Sequence, residues 1–407
     1  MEIAAHTIFI RDYDYILPID RIAEFPLMER DQSKLLVYET GKITNEFFYS
    51  LDEYVPAESI LVLNNTKVIE ARIFFRKFTG GVIEIFCLEP HQQSVEQSLL
   101  STQKVQWQCL IGGASKWKAG QVLKKEVIID NSTVQLQAQY ISKQTDSFII
   151  EFFWNSEHSF AEILHAAGAI PLPPYIKRSA TEEDKIRYQT IFSKQEGSVA
   201  APTAALHFTQ EVFQKLSSKN IDTEYITLHV GAGTFKPVKT ETVADHEMHK
   251  EPFTVSIETL KKIVSSKIII AVGTTSLRTL ETIYWLGVKL LNGLIHDEWS
   301  LQQWESYELE KCYPNISKEE SLHALINSLQ KNHQTELHCQ TSLLIIPGYK
   351  FKIPDGLITN FHQPQSTLLL LVSAFIGQDW KRIYKHALDN GYRFLSYGDS
   401  SLLWRNQ

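Results

Sequence analysis

The sequence predicts an α/β fold: a discontinuous α/β sandwich domain built from both ends of the chain, with a small β-barrel domain inserted after its second strand. Three observations predict it. From Ser156 onward strands alternate with helical patterns, the signature of an α/β domain with a largely parallel sheet. Between Ile69 and about Phe153 helical periodicity is absent, and short β-rich runs follow one another instead. A strand-like run, ILVLNN (Ile60 to Asn65), stands just before that interval, so a sheet begun there must resume beyond it. The expected division is 1–68 with 155–407 for the α/β domain and 69–154 for the insertion, a kind of insertion that surface loops tolerate well.

The N-terminal part reads as a mixed segment, ILPIDRIAEFPL, then a turn at Glu29 to Ser33 and two strands, LLVYE and ILVLNN. In the insertion the runs are ARIFF, GGVIEIFCLE, VQWQCLIG, VLKKEVIID, STVQLQAQYI and SFIIEFFW. Gly80-Gly81, Gly112-Gly113, Gly120 and Asp130-Asn131 punctuate them at the spacing of a small barrel or sandwich. Beyond it come AEILHAAG, then QEVFQKLSSKN before EYITLHV, IETLKKIVSS before IIIAVG, and SLRTLETIYWLG. A polar stretch from about Lys289 to Gln340, with Trp299, Trp304 and a helix-like pattern at Lys318 to Gln330, reads as an elaboration on the α/β domain.

Bulk properties exclude several classes. A chain of 407 residues exceeds what one hydrophobic core usually serves, and 43% hydrophobic with 21% charged residues is an ordinary globular composition. The start, MEIAAHTIFIRDYDY, lacks the pattern of a secretory signal, and the longest apolar run, Leu368 to Ile376, is too short to span a bilayer. A soluble cytoplasmic protein without membrane contact is expected. Cys87, Cys109, Cys312 and Cys339 form no Cys-x-x-Cys pair, which argues against a zinc ribbon or a redox motif. A net charge of −7 disfavours a protein that coats nucleic acid nonspecifically.

The chemically loaded stretches are IPLPPYIKR (Ile170 to Arg178), SVAAPTAALHF (Ser198 to Phe208), TLHVGAGTFKPV (Thr227 to Val238) and DHEMHKE (Asp245 to Glu251). Strand IIIAVG runs into Thr274, Thr275 and Ser276 and then a helix carrying Arg278. A strand end feeding a helix start offers N–H groups, hydroxyls and a favourable dipole to a carboxylate or phosphate, although plain N-capping explains the pattern equally well. LITNFHQPQSTLLLLVSAF repeats the layout, with Asn360, Phe361 and His362 at the strand end. In DHEMHKE, His246 and His249 stand three apart, which misses the four-residue spacing of His-Glu-x-x-His, so no metal is expected. Imidazoles among carboxylates suit general acid–base work, a solvated acidic turn being the plainer alternative. Glycines such as Gly231 and Gly233 would let a ligand approach the backbone closely. Thr203 and His207 occupy a strand-to-helix loop fixed by Pro202. For nucleic acid the candidates are Lys177, Arg178, Lys185 and Arg187 beside Tyr175 and Tyr188, and Arg72, Arg76, Lys77, Lys116 and Lys118 with Trp117, since cations interleaved with aromatics can hold phosphates and stack bases, a solvated charged face being the plainer alternative for each group.

Taken in order, these motifs resemble the S-adenosylmethionine:tRNA ribosyltransferase-isomerase family of queuosine biosynthesis. The matching stretches include DYDYILPIDRIAEFPLMERDQSKLLV, LVLNNTKVIEARI, IPLPPYIKR, ITLHVGAGTFKPV, DHEMHKE, AVGTTSLRTLE and YRFLSYGDSSLL, from near the N-terminus to Leu403. The resemblance implies a two-domain enzyme, an α/β catalytic domain with an inserted β-barrel. It would transfer and isomerise the ribosyl part of S-adenosylmethionine onto 7-aminomethyl-7-deazaguanine at the tRNA wobble position. The product is epoxyqueuosine, with adenine and methionine released. It implies S-adenosylmethionine as a consumed co-substrate, no metal, and a tRNA partner; a monomer is the favoured state. On that basis His246, His249 and Glu251 are the acid–base candidates, with His207, His229 and His362 positioning or shuttling protons. Thr203, Thr274, Thr275, Ser276, Arg278 and Asn360 would grip the co-substrate beside Gly231 and Gly233, and Phe208, Phe235 or Phe361 would face the sulfonium by cation–π attraction. The Lys289 to Gln340 stretch is longer than the connection usual in the family, which leaves a paralogue acting on another nucleoside or RNA, or a noncatalytic RNA-binding relative, as the alternatives.

Overall fold

The computed structural model describes residues 7–77, 80–118, 120–231, 238, 240–295 and 298–405. Gly233 and Phe235 lie outside the described residues. The chain begins with three 3-10 turns and a hairpin of β1 (Lys34–Glu39) and β2 (Lys42–Phe47), joined by the two-residue turn Thr40–Gly41. β3 (Ser59–Asn64) follows and is buried at every position, the pattern of a central strand covered on both faces. The short β4 (Thr66–Val68) then leads out of the first sheet.

β5 (Arg72–Arg76), β6 (Val82–Pro90), β7 (Lys104–Gly112), β8 (Val122–Ile129), β9 (Ser132–Lys143), β10 (Phe148–Trp154) and β11 (Gly168–Ala169) form a sheet of their own. Its order is β11-β5-β6-β7-β10-β9-β8, antiparallel throughout. Alternate residues such as Ile73 and Phe75, Trp107 and Cys109, and Leu136 and Ala138 point to one buried face, as a period of two requires. The helix Phe160–Ala167, opened by a Ser159/Glu162 capping box, fills the hollow of the curl, with Phe160 against Trp107, Phe152 and Trp154. Here the structure departs from the expected barrel. Among the described residues β8 nears β5 without pairing to it, so the sheet is a curled half-barrel. The helix packs at that seam, where Lys125 Nζ donates to the carbonyl of Ala167 at 2.7 Å.

β12 (Gln195–Ser198) pairs in parallel with β4, and the remaining strands rejoin the first sheet: β13 (Asp222–Leu228), β14 (Glu251–Ser256), β15 (Ile268–Val272), β16 (Ser300–Leu301), β17 (Glu336–Thr341), β18 (Gly356–Asn360) and β19 (Ser400–Trp404). The ten-stranded order is β16-β17-β14-β13-β3-β15-β18-β19-β1-β2. Only its centre, β13-β3-β15-β18, is continuously parallel; four of the nine neighbouring pairs are antiparallel, so the sheet is mixed and not largely parallel. The two-residue turn forces one of these, because parallel partners need a long crossover.

Alternation along the central strands feeds two cores. Ile60, Val62, Ile269 and Ala271 pack with the helices Thr274–Leu291, Thr367–Ile376 and Asp379–Asp389. Leu61, Leu63, Ile270 and Val272 pack with Phe48, Leu51, Phe208 and the helix Gln210–Ser218. The Lys289 to Gln340 stretch adds β16 and β17 at one edge and lays the helix Lys318–Lys331 along Thr274–Leu291. Among the described residues no helix is long and apolar enough to cross a membrane.

Candidate active site between the two sheets

β13, β3, β15 and β18 run the same way, so their carboxyl ends lie along one edge and carry His229, Asn65, Gly273 and Phe361 respectively. In an open α/β sheet that edge is where ligands bind. A cavity of about 880 Å³ opens there. One wall comes from the ten-stranded sheet and its loops, with His229, Gly231, His246, His249, Glu251 and Arg278; the other comes from the curled sheet, with Glu89, Gln108, Leu110 and Asp146. Its size is that of a site for a drug-sized ligand with room to spare.

Each wall residue is placed by a local cause. His229 follows β13, and its Nδ1 meets Thr66 Oγ1 at 3.0 Å. The approach depends on Gly197, whose backbone sits at φ +139°: a Cβ there would meet Val95 Cγ1 at 2.4 Å and His229 Cε1 at 3.0 Å. Burial lowers the His229 pKa to about 4, so the ring is neutral at pH 7. His246 ends a 3-10 turn, Val243–Asp245, and burial followed by the neighbouring His249 lowers its pKa as well. The segment is pinned from outside. Gln303 Nε2 donates to the carbonyl of His246 at 2.5 Å, and Gln303 Oε1 accepts from Met248 N at 2.9 Å.

Glu251 opens β14 and is buried with Arg278, whose Nη1 donates to Glu251 Oε2 at 2.6 Å and whose Nε donates to Leu343 O at 3.0 Å. Arg278 Nη2 is buried with no acceptor among the described residues. A buried guanidinium N–H without a partner costs roughly 1–3 kcal/mol, and Arg278 is one of the residues that line the cavity. The helix Thr274–Leu291 starts at Gly273, whose φ of +94° is open to glycine and whose lack of a side chain leaves the first-turn N–H groups without a side-chain cap.

Beside the main cavity, and sharing Val230 and Leu368 with it, a smaller one of about 80 Å³ is lined by Thr203, Thr274, Thr275, Asn360, Phe361 and His362 among others. Thr203 Oγ1 donates to Asn360 Oδ1 at 3.0 Å, and Asn360 Nδ2 reaches His207 Nε2 at 3.4 Å. His362 Nε2 meets Thr359 Oγ1 at 2.9 Å. Burial lowers the pKa of both His207 and His362 to about 3, with Arg393 assisting at His207. Among the described residues no group of three His, Cys, Asp or Glu is placed to hold a metal ion.

The family described as "Queuosine biosynthesis protein" matches residues 10–403. This chain belongs to that queuosine biosynthesis family. A relative from Sulfurihydrogenibium sp. named S-adenosylmethionine:tRNA ribosyltransferase-isomerase is 38% identical over 402 residues, covering 97% of this chain and 99% of the relative. One of the same name from Pelobacter propionicus is 34% identical over 401 residues, with the same coverage. A solved structure, S-adenosylmethionine tRNA ribosyltransferase from Thermotoga maritima, is 29% identical, spans 96% of this chain and 99% of its own, and superposes with a TM-score of 0.45.

Within this member of the queuosine biosynthesis family the candidates sort by place. The larger cavity brings together His229, Gly231, His246, His249, Glu251 and Arg278; the smaller one gathers Thr203, Thr274, Thr275, Asn360 and His362. His207 lies beneath them, joined through Asn360. Several expectations need correction. Phe208 cannot face a sulfonium, because it is fully buried between Phe48 and Phe213 with ring centroids 5.0 and 5.1 Å away. Ser276 is wholly buried and lines neither cavity. Arg178 and Arg187 do not present their charge to RNA: Arg178 grips Asp184 with two bonds of 2.7 and 2.8 Å, and Arg187 holds the carbonyls of Leu27 and Met28. Lys177 is exposed in a separate groove, and Lys116 and Lys118 sit on an exposed loop of the curled sheet. Sequence reasoning missed Glu89, Gln108 and Asp146, which occupy ordinary strand and turn positions. It also missed Gln303; the one available signal was Gly197 inside a strand-like run.

Proposed function

We infer that this chain acts as a S-adenosylmethionine:tRNA ribosyltransferase-isomerase. The ribosyl part of S-adenosylmethionine is transferred and isomerised onto 7-aminomethyl-7-deazaguanine in the tRNA wobble position, giving epoxyqueuosine and releasing adenine and methionine. Kinship of 34–38% identity over 97% of the chain supports the reaction. The observation that carries the site assignment is the gathering of three histidines and the Glu251–Arg278 pair in one cavity walled by both sheets.

The chemistry fits these groups. A sulfonium acidifies the adjoining ribose carbon, and a neutral imidazole is the base that can take its proton near pH 7. His246 and His249, on a segment pinned by Gln303, serve as that base and as the acid that assists adenine's departure; His229, neutral and tied to Thr66, passes or orients a proton. Glu251 is engaged by Arg278, so its part is to orient the guanidinium, whose Nη2, without an acceptor among the described residues, takes the methionine carboxylate. Thr203, Thr274, Thr275 and Asn360 hold the other end from the smaller cavity, with Gly231 placing no side chain in the way. His207 and His362 act on the substrate through Asn360 and Thr359. The α/β unit of 1–68 and 155–407 and the insertion of 69–154 are the two domains of this reading, in a cytoplasmic monomer.

Incubation with S-adenosylmethionine and tRNA carrying the 7-aminomethyl-7-deazaguanine base should yield adenine and modified tRNA in equal amounts. Glu298 and Trp299, from the elaboration, line the same cavity, which favours a second reading in which the co-substrate is kept and the acceptor nucleoside differs. Adenine formed only with another RNA selects that reading, and no adenine with any RNA overturns both.

A further inference from the structure

Apart from the catalytic cavity, a groove of about 1080 Å³ runs between β5, β8 and the loop 170–180. Its cations fall into two groups. Arg72 is paired with Glu84 and lies 4.5 Å over the Phe86 ring, Arg178 is held by Asp184, and Lys125 by the carbonyl of Ala167; these three stabilise the fold around the groove. Arg76, Lys124 and Lys177 differ. They come from β5, β8 and the loop, are exposed, and have no ion-pair or hydrogen-bond partner among the described residues. Glu126 is the one unpaired carboxylate in the lining. In a chain of net charge −7, three separate elements thus converge unneutralised ammonium and guanidinium groups on one concave surface, beside the exposed ring of Phe74.

We propose that this groove binds the phosphate backbone of the RNA whose base is modified in the cavity, which rests on the reaction assigned above. Charge and shape select a polyanion, and the layout selects one that reaches the active site. β6 carries Glu84 in the groove and Glu89 in the cavity. Five residues of strand rise about 17 Å, the span of a few nucleotides. One RNA therefore covers both sites: its target base enters between the sheets while the flanking backbone lies across Arg76, Lys124 and Lys177.

The test is tRNA binding at several salt concentrations, with wild-type protein and the charge-reversed triple variant Arg76→Glu, Lys124→Glu, Lys177→Glu. Each phosphate contact contributes about 0.7–0.9 to the slope of log affinity against log salt. The variant should lose about two to three units of that slope and bind tRNA at least tenfold more weakly, while its melting temperature and its affinity for S-adenosylmethionine stay at the wild-type values. The neutral triple variant with Gln at the three positions should fall between. An unchanged slope and affinity overturn the proposal, including the outcome in which the groove instead takes an acidic protein. Binding is read without turnover, so a protein that holds tRNA through the groove yet releases no adenine sinks the reaction assignment alone.

Discussion

Arg278 shows how one side chain can serve both architecture and chemistry. Two of its nitrogens are satisfied by Glu251 and the Leu343 carbonyl, and the third is buried with no acceptor among the described residues. Lysine in its place keeps a charge for Glu251 and loses the fork, so Arg278→Lys should raise the KM for S-adenosylmethionine at least tenfold with a smaller change in kcat. Alanine would strand a buried carboxylate at a cost of roughly 3–5 kcal/mol, so Arg278→Ala should also melt markedly earlier. An unchanged KM in the lysine variant removes the carboxylate contact. At this scale the sequence was partly legible. Histidines at strand ends were visible as chemistry because few packing arguments explain so many of them. Which were exposed and which buried was not visible, since His207 and Phe208 are neighbours in the chain yet serve a polar link and a hydrophobic core respectively.

Among the elements, the most consequential contact joins the Lys289 to Gln340 elaboration to the histidine segment. Gln303 grips the backbone on both sides of Glu247, and so sets where His246 and His249 point. Gln303→Ala should lower kcat about tenfold and leave the KM for S-adenosylmethionine and the melting temperature little changed, because a part-buried amide is removed and no core contact is lost. Gln303→Glu keeps the acceptor for Met248 N and loses the donor to His246 O, so it should recover part of the rate. A wild-type rate in the alanine variant would show that the segment holds its shape unaided. Strand and helix periodicities were legible for the central elements, such as the buried run of β3, but not for β2, β14 or the helix Val95–Leu100 inside the insertion, which are short and carry many polar residues. The pairing directions of the outer strands were not, because they depend on partners remote in sequence: β14 pairs with β13 on one side and β17 on the other. Closure of the curled sheet was equally hidden, because it turns on where the helix Phe160–Ala167 packs.

For the molecule as a whole, three imidazoles are kept neutral by burial, with pKa values near 3 for His207 and His362 and near 4 for His229. An unfolded chain binds these protons at about 6.5, so below that pH the unfolded state holds more protons than the native one. Stability from this source is complete above about 6.5 and is lost as pH falls toward 4 and then 3. Each group contributes up to about 1.4 kcal/mol per pH unit in that window. The melting temperature should therefore drop between pH 6.5 and 4.5, and His362→Gln should make the drop shallower. Equal slopes for the variant and the wild type would mean that His362 is already protonated in the native protein.

Between Asn64 and Val199 the polypeptide leaves one core, builds a second and comes back, and β4 and β12 lie side by side where it crosses. Ile69 N to Ser198 O, Lys194 N to Asn65 O, and Gln189 bridging both backbone groups of Val68 stitch that crossing together. A doubly threaded, laterally bonded strap resists sliding and shear, so the two jaws that wall the cavity are held in one fixed register.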